Sequence, residues 1–214
     1  MDLDNNQNHT IQTWDKLAEK YRDKFMDLEL YNDTYDAFCK LIISPSPQIF
    51  EIGCGPGNVT RYLSSMRSDF SIEATDAAPN MIAVARSMVP SAKFWVMDCR
   101  EMDNMKDKYD GIICGFCMPY LSKDECIALI VKCSALLNIG GIFYFSTIEG
   151  DYSQSHSETS SDGQYSMMVY LHQEDYLRAS LEENNFDIVD VIRLSYQKSD
   201  QIQSTHIVFI SRKK

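Results

Sequence analysis

Hydrophobic positions in this chain follow two periods, which alternate along its length. Trp14, Leu17, Ala18, Tyr21 and Phe25 recur at three- and four-residue steps, the signature of one helix face. Residues 1–13 ahead of them are polar and are expected to form a frayed arm. A second helix is predicted over 31–43, and Ser44-Pro45-Ser46-Pro47 then breaks the pattern. Short apolar runs follow, predicting strands at 49–52, 70–76, 93–97, 109–114 and 142–148. Helices are predicted between them at 58–67, 79–88 and 122–137. Pro79 suits a first helical turn. Ser122 with Glu125 three residues on is a capping-box pattern. The helix they open is expected to stop before Gly140-Gly141, and 109–114 is apolar enough for a strand covered on both faces.

The last third reads differently. Residues 149–165 are rich in Ser, Asp and Gly, lack a period and are long for a plain connection, so they form a candidate functional loop. A helix is predicted at 173–184. Strands at 186–196 and 205–212 are joined by a polar turn, 198–203. That joint is too short for a crossover helix, so the pair must be antiparallel. Strands alternating with helices and then a terminal hairpin define an α/β chain.

Composition narrows the function. With 214 residues, 44% of them hydrophobic and 24% charged, a single soluble globular domain is expected. No apolar run approaches the ~20 residues that cross a bilayer, and the polar N-terminus lacks a signal-peptide core. A cytoplasmic protein with no membrane partner is expected, as monomer or homodimer. The net charge of −11 argues against a nucleic-acid partner. Seven cysteines include one C-x-x-C spacing, Cys114 and Cys117, in an apolar run with no second pair to complete a zinc site. They read as buried or pocket-lining thiols in a reducing compartment. No metal is expected.

The chain is organised around Glu51-Ile52-Gly53-Cys54-Gly55-Pro56-Gly57, a strand ending in three alternating glycines before a helix. Such a turn is expected to point amide N–H groups outward at a helix start, where an anionic or polar group binds. A dinucleotide fingerprint, G-x-G-x-x-G, fails in both frames, because Asn58 or Thr60 stands at the third glycine. A P-loop lysine is also missing. What remains, E-x-G-C-G-x-G, resembles the first motif of the class I S-adenosylmethionine-dependent methyltransferases. The resemblance covers about 48–148 by motif order and spacing. It implies a Rossmann-like, mostly parallel sheet of seven strands with helices on both faces and an antiparallel C-terminal hairpin. It divides the chain into an N-terminal helical lid (1–47), a donor-binding core (48–148), a substrate-side loop (149–171) and a C-terminal helix with hairpin (172–214).

The resemblance also implies S-adenosylmethionine as cofactor and methyl transfer to a small-molecule acceptor. The other reading is a non-catalytic module that binds the nucleoside or only a protein partner. Glu51, Gly53, Cys54 and Gly55 fall at the first strand end. Asp76, followed by Ala77 and Met81, falls at the second, where a carboxylate takes the ribose hydroxyls; it could instead cap the helix at Pro79. Asp98 and Cys99 at the third would meet the adenine. Gly115 closes the fourth. Tyr21 either folds over the donor or packs in the core. Tyr120 and His156 are the candidates near the reacting groups, and an exposed loop histidine is the plainer reading of His156. Cys117-Met118-Pro119-Tyr120 lacks the amide or carboxylate that base-methylating enzymes carry there, so a nucleic-acid base is not expected as acceptor.

Overall fold

The computed structural model describes residues 3–159, 163, 165–199 and 202–214. Six α-helices span Leu3–Phe25 (α1), Asn32–Leu41 (α2), Asn58–Met66 (α3), Pro79–Met88 (α4), Lys123–Leu136 (α5) and Glu174–Glu183 (α6). Nine strands span Gln48–Ile52 (β1), Ser71–Asp76 (β2), Lys93–Val96 (β3), Tyr109–Cys114 (β4), Leu137–Ile148 (β5), His156–Thr159 (β6), Ser166–Val169 (β7), Phe186–Ser199 (β8) and Ile202–Lys213 (β9). Seven of them form one sheet in the order β3-β2-β1-β4-β5-β9-β8. Its first five strands are parallel; β9 runs antiparallel to both β5 and β8. This is the Rossmann-like architecture with its antiparallel terminal hairpin.

The central strands are apolar because both faces are covered. Ile49, Phe50 and Ile52 of β1 and Ile112, Ile113 and Cys114 of β4 are fully buried. Phe50, Ile112 and Cys114 join Leu129, Ile130 and Cys133 of α5 and Leu177 and Leu181 of α6 in one core. Ile49 and Ile113 face the other way, toward Tyr35 and Phe38 of α2 and Val59 and Leu63 of α3. The capping box at Ser122 and Glu125 forms and opens α5.

Four expectations are corrected. Residues 3–13 are not a frayed arm: α1 starts at Leu3, and Thr10 and Thr13 are buried, with the Thr13 hydroxyl donating to the Ser166 carbonyl at 3.1 Å. Hydroxyl pairing with a hairpin replaces the apolar stripe that periodicity looks for. Gly140-Gly141 lie inside β5, not before it. Between Tyr109↔Leu137 and Gly111↔Ile142 β4 advances two residues and β5 five, and Gly140 takes φ +80° in that bulge. The 149–165 stretch is not plain loop. It carries a 3₁₀ turn, Tyr152–Gln154, and β6, which pairs with β7 as an antiparallel hairpin; residues 160–162 and 164 lie outside the described residues. The terminal hairpin is longer than predicted, reaching Ser199 and resuming at Ile202, with residues 200 and 201 outside the described residues. Its polar tip runs past the end of β5, where there is no apolar face to cover.

Candidate functional site

The glycine turn after β1 has the backbone only glycine adopts readily. Gly53 has φ +65°, and a Cβ there would stand 2.8 Å from the Cβ of Cys117. Gly55, at φ +53°, looks across at the ring edge of Tyr21, 3.8 Å from where a Cβ would sit. The amides of this turn are not the outward donors expected. Cys54 N donates to Thr75 O, Gly57 N to Cys54 O, and Gly55 N to Asp76 Oδ2, at 2.9–3.0 Å. The turn tethers itself to β2, and the ligand-facing polarity passes to side chains. Glu51 lies beneath the turn, 1% exposed, taking a 2.5 Å hydrogen bond from the Thr60 hydroxyl. Burial pushes its carboxyl up to about 8 against that bond, and Asp76 adds to the rise.

The ends of β2, β3 and β4 stand beside it. Asp76 accepts from Gly55 N and, at 2.8 Å, from Ala78 N. Burial raises its carboxyl while these two amides pull it down. Each oxygen keeps a lone pair for a ligand. It is the loop's tether and a cavity wall together, so the capping and the binding readings are not exclusive. Asp98 is gripped by Arg100, from the backbone amide at 2.9 Å and the guanidinium at 2.9–3.0 Å, and Arg100 also donates to Glu125 at 2.6 Å. At the β4 end Phe116 sits at φ +63°, rare for a bulky residue, with its amide on Ser146 Oγ at 2.9 Å. That turn aims the ring at His206, 4.6 Å between centroids.

These strand ends floor a cavity of about 1040 Å³, at the upper end of small-molecule sites. Its roof comes from α1, the β6–β7 hairpin and the tip of β8–β9, where Lys198 meets Glu158 at 2.5 Å. Gly53, Cys54, Gly55, Asp76, Ala77, Met81, Asp98, Cys99, Gly115, Tyr21, Tyr120 and His156 all line it; Glu51 does not. His156 is exposed, on β6, 3.7 Å from Glu158. Trp14 stacks edge-on between Tyr21 and Tyr120, at 5.2 and 5.4 Å. Trp14 lines the cavity, and its indole N–H is buried without a hydrogen-bond partner in the protein.

Of the far wall, sequence reasoning reached only Phe116, which follows Gly115 at the fourth strand end. Tyr31, Tyr35, Phe116, Tyr196, Ser204 and His206 line the cavity on that side. The Tyr31 hydroxyl meets His206 Nδ1 in a short hydrogen bond, and His206 Nε2 lies 3.0 Å from Ser204 Oγ. Tyr196 stacks on the imidazole at 4.9 Å. Burial lowers His206 to about 4 and raises Tyr21, Tyr31, Tyr35, Tyr120 and Tyr196, so these groups are neutral at pH 7. Only the polar run Gln203 to His206 that opens the last strand hints at this wall. Among the described residues no group of three or more His, Cys, Asp or Glu could hold a metal ion, and all seven cysteines are free.

A family model described as a methyltransferase domain matches residues 49–141. Malonyl-acyl-carrier-protein O-methyltransferase of Anoxybacillus flavithermus is 29% identical over 159 residues, 67% of this chain and 60% of that protein. Trans-aconitate 2-methyltransferase of Mycobacterium ulcerans is 40% identical over 52 residues, 24% of this chain and 20% of that protein. The chain thus spans 20–60% of the length of these curated relatives. The solved structure of Burkholderia thailandensis 1,6-didemethyltoxoflavin-N1-methyltransferase, with 1,6-didemethyltoxoflavin and S-adenosylhomocysteine bound, matches with a TM-score of 0.72 at 19% identity. It covers 95% of this chain and 87% of that one, and its likeness is one of fold.

Proposed function

We propose that the chain is a class I S-adenosylmethionine-dependent methyltransferase that transfers the methyl group of S-adenosylmethionine to a small molecule in the same cavity. One observation carries this reading: a single cavity runs from Gly55, Asp76 and Asp98 to the tip of the terminal hairpin, with the unpartnered Trp14 indole in its wall. The residues present fit the donor. Asp76 Oδ1 and Oδ2 would accept its two ribose hydroxyls, Asp98 would meet the adenine, and the Gly53–Gly55 backbone leaves room for its amino-acid arm. When bound, the donor supplies a methyl group already activated by a sulfonium. The chain's own work is to align the two reactants and exclude water. Tyr21, Trp14 and Tyr120 would set aromatic faces beside the positive sulfur.

The same reading gives α1 and the β6–β7 hairpin the role of roof, and places the protein in the cytoplasm, in keeping with seven free cysteines. No described helix is long and apolar enough to cross a membrane. A nucleic-acid acceptor is not proposed, given the net charge of −11. Calorimetry with S-adenosylhomocysteine tests the donor site. Asp76→Ala is expected to weaken binding by about 10- to 100-fold, the worth of hydrogen bonds to a charged group. Unchanged affinity would remove Asp76 from the site, and binding without methyl transfer to any acceptor would leave a non-catalytic module.

A further inference from the structure

The sheet order splits the cavity in two. The ends of β1, β2 and β3 supply the groups assigned to the donor. The ends of β4, β5, β9 and β8 floor a second half, which the donor does not need. Two charged groups reach this half from the sheet, Glu149 just after β5 and Lys198 at the β8–β9 tip. Both are already paired, Glu149 with Arg193 at 2.6 Å and Lys198 with Glu158 at 2.5 Å. Tyr31, Tyr35, Phe116 and Tyr196 set aromatic rings into this half beside aliphatic Leu28 and Ile148, and one hydrogen-bonded chain crosses it: Tyr31 Oη, His206 Nδ1, His206 Nε2, Ser204 Oγ.

Resting on the methyl-transfer reading, we propose that this half is the subsite of an uncharged, planar acceptor bearing an O–H or N–H, and that Tyr31, coupled to His206, receives its proton. Three features support it. Tyr31 and His206 are 8% and 2% exposed, so once an acceptor fills the cavity no bulk water competes for the hydroxyl. The strained Phe116 and the stacked Tyr196 hold the imidazole between them and offer flat apolar faces to a ring. Ser204 is only half-buried, and its hydroxyl can give or take a proton, so the chain has an outlet to solvent.

The step balances without an oxidant or reductant. Tyr31 Oη takes the acceptor's proton as it passes its own to His206 Nδ1. The electron pair left on the acceptor oxygen or nitrogen makes the new bond to the methyl carbon, and the carbon–sulfur pair stays on sulfur. The positive charge of the sulfonium reappears on the imidazolium, which sheds a proton through Ser204. A carboxylate acceptor would find Lys198 already paired with Glu158 and the other lysines of the cavity, Lys20 and Lys24, standing on α1, and it has no proton to give.

The test uses the full chain loaded with S-adenosylhomocysteine, with 2-naphthol and 2-naphthoate as probes. Naphthol should bind, naphthoate should not, and naphthol should shift the imidazole resonances of His206. Tyr31→Phe keeps the ring. It should bind S-adenosylhomocysteine as the wild type does and hold naphthol up to about tenfold more weakly. With S-adenosylmethionine and an acceptor the wild type turns over, its kcat should fall about 100-fold. Tighter binding of naphthoate, unmoved His206 resonances, or a Tyr31→Phe kcat within about threefold of wild type would each overturn the proposal. A wild type that binds no S-adenosylhomocysteine would instead sink the methyl-transfer reading beneath it.

Discussion

Two buried histidines in this protein, each paired with a tyrosine, have the same chemistry and different surroundings. In each, a tyrosine hydroxyl meets Nδ1 of the imidazole: Tyr31 with His206, and Tyr176 with His172. What differs is the other nitrogen. His172 Nε2 lies 3.1 Å from the Met118 carbonyl, which can only accept, so the ring is locked with its proton on Nε2. The backbone of His172 is tied as well, its amide to Ile148 O and its carbonyl to Gly150 N. That pair staples the chain after β7 to the end of β5 and does not line the cavity. His206 Nε2 meets a serine hydroxyl, which fixes neither tautomer, and its tyrosine opens on the cavity. A buried histidine is structural or chemical according to where its second hydrogen bond ends.

Acid should expose what the pairs share, with the largest effect. Burial lowers both histidines to about 4 from 6.5, so below pH 6.5 the unfolded chain binds protons that the folded chain refuses. Their stabilisation is complete above 6.5 and is lost as pH falls toward 4, by about 3 kcal/mol for each ring. Glu51, raised to about 8, acts the other way: its contribution is complete below 4.5 and is lost as pH rises through 8. Urea unfolding across pH should therefore show a maximum near 6.5. Glu51→Gln should flatten the alkaline side and steepen the acid side between 4.5 and 6.5, where Glu51 opposes the histidines.

Single changes should then separate the pairs. Tyr31→Phe is expected to cost turnover about 100-fold. Its stability should change by less than about 1 kcal/mol, because water from the cavity can reach the vacated Nδ1. Tyr176→Phe should do the reverse: a loss of about 1–3 kcal/mol in urea unfolding, since a fully buried Nδ1 is left without a donor, with unchanged affinity for S-adenosylhomocysteine. Equal stability losses in the two variants would erase the distinction. The smallest effect is expected at Trp14. Its indole N–H has no partner in the protein, so Trp14→Phe should leave stability nearly unchanged and weaken S-adenosylhomocysteine by about two- to tenfold. A large drop in stability with no change in affinity would make Trp14 a packing residue.

Much of the donor side was legible because it is local. A strand, alternating glycines and acids at successive strand ends follow one another in the chain, and Gly53, Gly55, Asp76 and Asp98 fall together as their order implied. Even there the detail was hidden. The amides of Cys54, Gly57 and Gly55 turn inward to Thr75, Cys54 and Asp76, and Asp98 is held by Arg100, two residues beyond it. Glu51 was placed at the site by the motif, yet it lies under it, because a central strand with both faces covered leaves its side chains no route to the cavity.

The order of apolar and polar positions determined the α/β alternation and the antiparallel end, since each depends on contacts within one element or between chain neighbours. The far wall depended on the tertiary structure alone. Tyr31 and His206 are 175 residues apart, and no period or motif links them. They meet because β9 inserts beside β5, bringing the end of the chain to the helices that begin it. Hydrogen bonding across such a distance is a product of sheet order, which no local pattern encodes.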